Sequence, residues 1–249
     1  LLGAALGLGI VGLCVGSFIT AVVARADAGF AGLLTGRSRC PHCGQELAPA
    51  DLVPLLSWAA LRGRCRHCRA GISPAYPLTE LGAAAIGLLS GMLLALPSAV
   101  IAALLGWWLL AMALIDLASF RLPDATTLPL IPAGLLLAWR SAELGLLMPS
   151  PFEAALAAAL GWAVLAGLRW FYARVRGREG LGLGDAKLCA GAGAWLGLTA
   201  MPWLLLTGAL AGLLLALAVH RSLRGDLAIP FGPPLALAFW LLFVAAQLA

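Results

Sequence analysis

Long apolar runs, separated by short basic stretches, set the pattern of this chain. Eight apolar segments can be read: Leu1–Val23, Leu78–Leu96, Ala99–Ile115, Thr126–Leu147, Phe152–Phe171, Asp185–Leu198, Pro202–Val219 and Ile229–Leu248. A helix needs about 20 apolar residues to cross the hydrocarbon core, and most of these runs approach that length. The sixth is short and rich in glycine. The pattern predicts an all-α fold: a polytopic membrane protein of about eight transmembrane helices. Leu1–Val23 has no basic leader and is too long for a cleavable signal peptide, so it reads as the first transmembrane helix. The sequence does not begin with Met, so a few residues are expected to precede it.

The basic positions alternate. Segments one and two are joined through Arg25, Arg37, Arg39, Arg62, Arg64, Arg66 and Arg69, and segments three and four through Arg121. Arg169, Arg174, Arg176 and Arg178 lie between five and six, closed by Lys187, and Arg221 and Arg224 lie between seven and eight. The alternate loops hold only Arg140. The positive-inside rule then puts the basic loops in the cytoplasm and both termini outside. With 62% apolar and 11% charged residues, the net charge of +5 follows membrane topology and does not suggest nucleic acid. The lipid bilayer is the expected partner, and the oligomeric state stays open. Three domains are expected: a first transmembrane helix over 1–23, a cytoplasmic loop domain over 24–76 and a transmembrane core over 77–249.

Cysteine spacing gives the loop domain its chemistry. Cys40-Pro41-His42-Cys43 and Cys65-Arg66-His67-Cys68 are two C-x-x-C knuckles. Their separation of about 20 residues is that of a zinc ribbon. Each knuckle turns two thiolates toward one point, and a reducing cytoplasm disfavours disulfides. Four thiolates leave no open position, so the expected Zn2+ is structural; a redox dithiol pair is the alternative. His42 and His67 read as surface residues. A loop of roughly 50 residues cannot build a large core, so the metal would staple it. Pro49, Pro54, Trp58 and Leu61 add apolar filling, and Gly63 is expected to take a positive φ before the second knuckle. Cys14 and Cys189 read as small core residues.

Two acids mark the other site. Asp185 follows the glycines of Glu179-Gly180-Leu181-Gly182-Leu183-Gly184 at the mouth of segment six, and Asp116 ends segment three. An ionisable side chain at a bilayer boundary suggests function, and the topology sets both acids near the cytoplasmic face. Two carboxylates brought together share one proton, which supplies an acid and a base for activating water against a peptide carbonyl. An ordinary N-cap role is the alternative for Asp185, and Asp124 reads as the N-cap of segment four. The glycines at 180, 182 and 184 would present backbone to an extended substrate. Glu80 is expected to pair with Lys187 or a loop arginine, with a substrate contact as the alternative; for Lys187 the alternative is interfacial snorkelling. His220 reads as interfacial, and no Ser/His/Asp set is present. Paired acids also serve proton relays in transporters, but both lie at one face and no inverted repeat is visible. A non-enzymatic assembly factor that docks through the zinc loop is a third reading.

In combination, these pieces resemble the bacterial prepilin peptidase (type IV leader peptidase) family. The likeness rests on Gly16-Ser17-Phe18, the two knuckles, Arg62-Gly63-Arg64-Cys65 and Tyr76-Pro77-Leu78-Thr79-Glu80-Leu81. It continues through Asp116 with Leu122-Pro123-Asp124, Gly182-Leu183-Gly184-Asp185-Ala186-Lys187-Leu188 and Ile229-Pro230-Phe231-Gly232-Pro233. It departs after Phe18, where Ile19-Thr20-Ala21 and Arg25-Ala26-Asp27 replace the family's usual residues. The resemblance implies a G-x-G-D intramembrane aspartyl protease of the bacterial inner membrane, with Asp116 and Asp185 as the catalytic pair. Its substrates would be type IV prepilins or type II secretion pseudopilins, cleaved on the cytoplasmic side. Asp124, Gly182, Gly184, Lys187 and Glu80 would support the site. Many members also N-methylate the new N-terminus with S-adenosylmethionine, and Gly63 matches a position implicated there. Glu80, Glu179 and other membrane-proximal acids would meet the basic leader.

Overall fold

Every one of the eight apolar segments folds as a helix. They are α1 (Leu2–Ala24), α2 (Ala75–Leu93), α3 (Ser98–Ser119), α4 (Leu130–Leu144), α5 (Pro151–Arg176), α6 (Leu183–Leu196), α7 (Met201–His220) and α8 (Gly232–Ala246). This computed structural model describes residues 2–25, 38–177, 180–220 and 230–248. Ala26, Asp27, Arg37, Arg178, Glu179, Arg221, Arg224, Ile229 and the side chain of His220 lie outside the described residues. Among those described, α1, α2, α3, α5 and α7 are long and apolar enough to cross a membrane. Helices α6 and α8 have only 14 and 15 residues. The fold is all-α, and its only extended pairs are two isolated bridges among the described residues.

Local chemistry sets the helix ends. Ser150 caps α5 by accepting the Glu153 amide at 3.2 Å, Pro151 fills its first turn, and Gly177 closes it in the left-handed conformation. Segment four is broken by its prolines. Pro123 caps a one-turn helix over Asp124–Thr127, and Pro129 caps α4.

The chain forms two compact units, 1–107 and 108–249. In the first, α1 lies against α2 through small residues. A Cβ on Gly12 would fall 2.4 Å from the Ala83 carbonyl oxygen, and one on Gly16 would fall 2.5 Å from Glu80 Cα. Gly87 and Gly91 answer from α2, against Leu8 and Ala5. This is small-xxx-small packing, which lets two backbones touch where apolar burial gives little drive. Cys14 departs from the expected core position: it lies on the exposed side of α1, away from Gly12 and Gly16.

The second unit is organised around α6. All of Asp185–Leu196 is buried except Lys187. Its alanines and glycines admit neighbours from three sides. A Cβ on Gly193 would fall 2.4 Å from the Ala157 carbonyl oxygen of α5, and Gly134 of α4 lies against Ala194 and Trp195. Trp195 donates its indole N–H to the Leu130 carbonyl at 2.8 Å. Its ring meets Phe239 and Phe243 of α8 edge-on, with centroids 6.2 and 5.4 Å away. Cys189 is buried in this core, as expected.

Candidate active site and metal centre

Asp116 and Asp185 are the two buried acids of the second unit, with 5% and 7% of their surface exposed. Asp116 occupies the last turn of α3, yet its carboxylate does not face that helix's own carbonyls. Its Oδ2 accepts the amide of Gly232, the first residue of α8, at 3.0 Å. Asp185 sits at the third position of α6, and its Oδ2 accepts the Gly182 amide at 3.2 Å. Each carboxylate thus takes an amide at a helix N-terminus, where the backbone dipole favours negative charge. Asp185 is therefore not the N-cap; Gly182 holds that position, and Asp185 reaches back to it as the acidic half of a capping box.

Leu122 ties the two acids into one neighbourhood. A Cβ on Gly184 would fall 2.6 Å from Leu122 Cβ, and one on Gly232 would fall 3.2 Å from Leu122 Cδ1. The same Cβ on Gly232 would fall 2.6 Å from Asp116 Oδ2. The charge of Asp116 acts on Asp185. Neither Gly182 nor Gly184 forms the free extended edge expected for them. The Gly182 amide is taken by Asp185, Gly184 is already helical against Leu122, and Gly180 packs on the Tyr172 ring.

Asp124 also departs from expectation. Pro123 has the extended backbone of a cap, and the Asp124 side chain makes no capping bond. Its Oδ1 instead accepts from Lys187 Nζ at 2.5 Å, joining the turn after α3 to the first turns of α6. The reason is geometric: once proline fixes the entry to the turn, the carboxylate lies past the free amides and is open to a cation. Glu80 pairs with neither Lys187 nor an arginine. Buried in the first unit, its Oε2 accepts the Leu55 amide at 2.8 Å.

Reasoning from sequence missed Gly232 and Leu122 as site residues. The Pro230-Phe231-Gly232-Pro233 stretch was the available signal, since glycine between prolines at a helix start suggests close approach.

The cysteine knuckles repeat one structure at an offset of 25 residues. Cys40 donates its amide to Gln45 and accepts from Gly44; Cys65 does the same with Ala70 and Arg69. Gly44 and Arg69 both have positive φ, +69° and +61°. The four sulfur atoms of Cys40, Cys43, Cys65 and Cys68 lie within 4.8 Å of one another. The Cys40–Cys68 separation is 3.9 Å. A disulfide needs about 2 Å. Tetrahedral zinc with bonds of about 2.3 Å spaces its sulfurs by about 3.8 Å, so the donor set fits that ion. The Cys40 thiol is pulled down to about 6, first by the Cys43 amide and then by that of His42, whereas Cys68 among the same sulfurs is pushed up to about 11: the cluster gives up its protons unequally, and a bound cation would draw off the rest. Asp51 braces the second knuckle: its Oδ1 takes Arg66 Nε at 2.8 Å and Nη2 at 2.7 Å. Gly63 has φ +67°, as expected, and a Cβ there would strike the Trp58 ring at 2.9 Å.

Comparison with known proteins bears on both sites. Residues 10–94, which include the knuckles, match the model described as the bacterial peptidase A24 N-terminal domain. Residues 103–217, which include both buried acids, match the type IV leader peptidase family model. A prepilin leader peptidase/N-methyltransferase of Aeromonas hydrophila is 42% identical over 214 residues, covering 84% of this chain and 71% of the relative. The chain belongs to the type IV leader peptidase family. Proteins of the same name from Stutzerimonas stutzeri and Dickeya chrysanthemi are 37% and 39% identical. They align over 93% and 94% of this chain and 87% and 89% of their own lengths. No solved structure matches the chain.

Proposed function

We propose that this protein is an intramembrane aspartyl endopeptidase that removes the leader of type IV prepilins or type II secretion pseudopilins at the cytoplasmic face of the bacterial inner membrane. The observation that carries this reading is the convergence of Asp116 and Asp185 around Leu122, each buried and each accepting an amide from a helix N-terminus. The relatives, named as prepilin leader peptidases, suggest the substrate class.

Such a pair shares one proton. The ionised carboxylate takes a proton from water as the oxygen attacks the scissile carbonyl carbon. The protonated carboxyl gives its proton to the carbonyl oxygen. As the C–N bond of the resulting gem-diol breaks, the carboxyl that took the water proton gives it to the leaving amine, and the other carboxylate takes a proton from one gem-diol hydroxyl, whose oxygen becomes the new carbonyl. Water is consumed, and the two acids return to their shared-proton state. The Gly232 and Gly182 amides orient the two carboxylates while this happens. Lys187 and Asp124 hold the segments around them.

The loop over 24–76 is the zinc domain in this reading, with Cys40, Cys43, Cys65 and Cys68 as ligands of a structural ion that ties the two knuckles together. The relatives' names also carry N-methyltransferase, for which S-adenosylmethionine would be the donor. Trp58 fills the space beside Gly63, so that position offers the cofactor no cradle.

The test uses purified protein in detergent with a prepilin substrate, reading the leader's loss by mass spectrometry. Asp116→Asn and Asp185→Asn should each abolish cleavage while the protein stays folded. Full cleavage by either variant removes that residue from the pair.

A further inference from the structure

The zinc loop carries an apolar tip that neither proteolysis nor metal binding explains. Leu52, Val53 and Leu56 are exposed, Leu56 to 70%. They flank a strained turn: Leu55 has φ +60° and ψ −48°, and the Leu56 amide donates to the Pro54 carbonyl at 2.6 Å. These are the features of a γ-turn of the rare kind, adopted here by a branched residue. The surrounding structure must hold it there.

Glu80 does the holding. Its buried carboxylate takes the Leu55 amide at 2.8 Å, and this bond fixes the level of the tip. Glu80 is the sixth residue of α2, a helix long and apolar enough to cross a membrane. Side chains on a helix lean toward its N-terminus, so the bond lies beside the first turn, level with the exposed Tyr76 and Leu78. An aromatic ring at the start of a spanning helix marks the membrane–water interface. A half-buried backbone amide needs a hydrogen-bond partner. The carboxylate supplies one.

We propose that Leu52, Val53 and Leu56 insert into the interfacial layer of the bilayer, and that Glu80 anchors this tip by accepting the Leu55 amide. The lipid surface is the partner that the charges fit. Exposed Arg62 and Arg64 follow the tip along the chain, and anionic headgroups attract such cations. The zinc loop is thus a monotopic element resting on the membrane. This inference stands apart from the proteolytic reading and survives its failure.

The experiment places a photo-crosslinking residue, p-benzoylphenylalanine, at position 56 of the full chain. The protein is loaded with zinc in nanodiscs of phosphatidylcholine and phosphatidylglycerol, with no substrate present. Position 81, exposed on α2, is the lipid-facing control, and position 45, exposed on the first knuckle, is the aqueous control. Lipid adducts at 56 should approach the yield at 81 and exceed that at 45 several-fold. A yield equal to that at 45, or crosslinks to protein in place of lipid, would overturn the insertion. Position 53 is probed in the same way, so that one unstable variant does not decide the result. Glu80→Ala should lower the adduct yield at 56 and leave that at 81 unchanged. Glu80→Gln, whose amide oxygen still accepts, should keep most of it. An unchanged yield in Glu80→Ala would remove Glu80 as the anchor.

Discussion

The Gly232 amide donates to the Asp116 carboxylate at 3.0 Å, although 116 residues separate them in the chain. A methyl group on Gly232 would fall 2.6 Å from that carboxylate oxygen, which no real contact allows, and the carboxylate is short and buried. Gly232→Ala is therefore expected to displace Asp116 and to lower prepilin cleavage by one to two orders of magnitude, as small misplacements of reacting groups do. The variant should keep wild-type helix content by circular dichroism. Near-normal turnover would remove this bond from the site's architecture.

The Lys187–Asp124 pair should matter less. Its carboxylate side chain is 63% exposed, and exposed pairs contribute about 0–1 kcal/mol. Asp124→Asn is expected to retain cleavage within a few-fold, and a double-mutant cycle with Lys187→Met should give a coupling under about 1 kcal/mol. A collapse of activity in Asp124→Asn alone would place this acid closer to the chemistry.

Within the metal module, the two knuckles predict opposite responses to exchanging their turn residues. Gly44 occupies its left-handed position without strain, whereas Arg69 occupies the equivalent one with a side chain. Left-handed backbone costs such a residue about 1–2 kcal/mol, partly offset by glycine's larger entropy loss. Arg69→Gly should make the zinc-loaded protein harder to strip with a chelator, and Gly44→Ala should make it easier. Equal sensitivity in both variants would break the equivalence of the knuckles.

Acid should loosen the same module through Asp51. Hydrogen bonding from Arg66 holds this carboxyl below its ordinary 3.8. A folded-state value lower than the unfolded one means stabilisation that is fully present above 3.8 and lost as pH falls through the folded value. Hydrogen exchange at the Ala48 amide, which donates to Asp51, should be slower than in Asp51→Asn at neutral pH. That difference should shrink only in strong acid. A difference that vanishes near neutrality would point to another group.

Sequence carried the helices because their signal is local. Runs of apolar residues predict helices wherever they fall; all eight are helical, and five of them are long and apolar enough to cross a membrane. The four cysteines and the two acids were legible for the same reason: their chemistry is rare in such a composition. What stayed hidden depends on partners far along the chain. Nothing near Asp116 names Gly232, and nothing near Glu80 names the Leu55 amide. Asp124 was read as a cap because aspartate before a helix usually is one. Proline already held that place, and the carboxylate turned to Lys187. Cys14 looked like core because it lies in an apolar run. In a membrane, however, apolar does not mean inside, and the glycines of α1 took the packed face.

Helices α6 and α8 rise only about 21 and 22 Å at 1.5 Å per residue, against a hydrocarbon layer of about 30 Å. Lipid beside the exposed Leu237 and Leu241 of α8 therefore has less protein height to match, and it must thin or pull on that helix. Because α8 begins at Gly232, whose amide holds the Asp116 carboxylate, any pull on that helix bears directly on this acid.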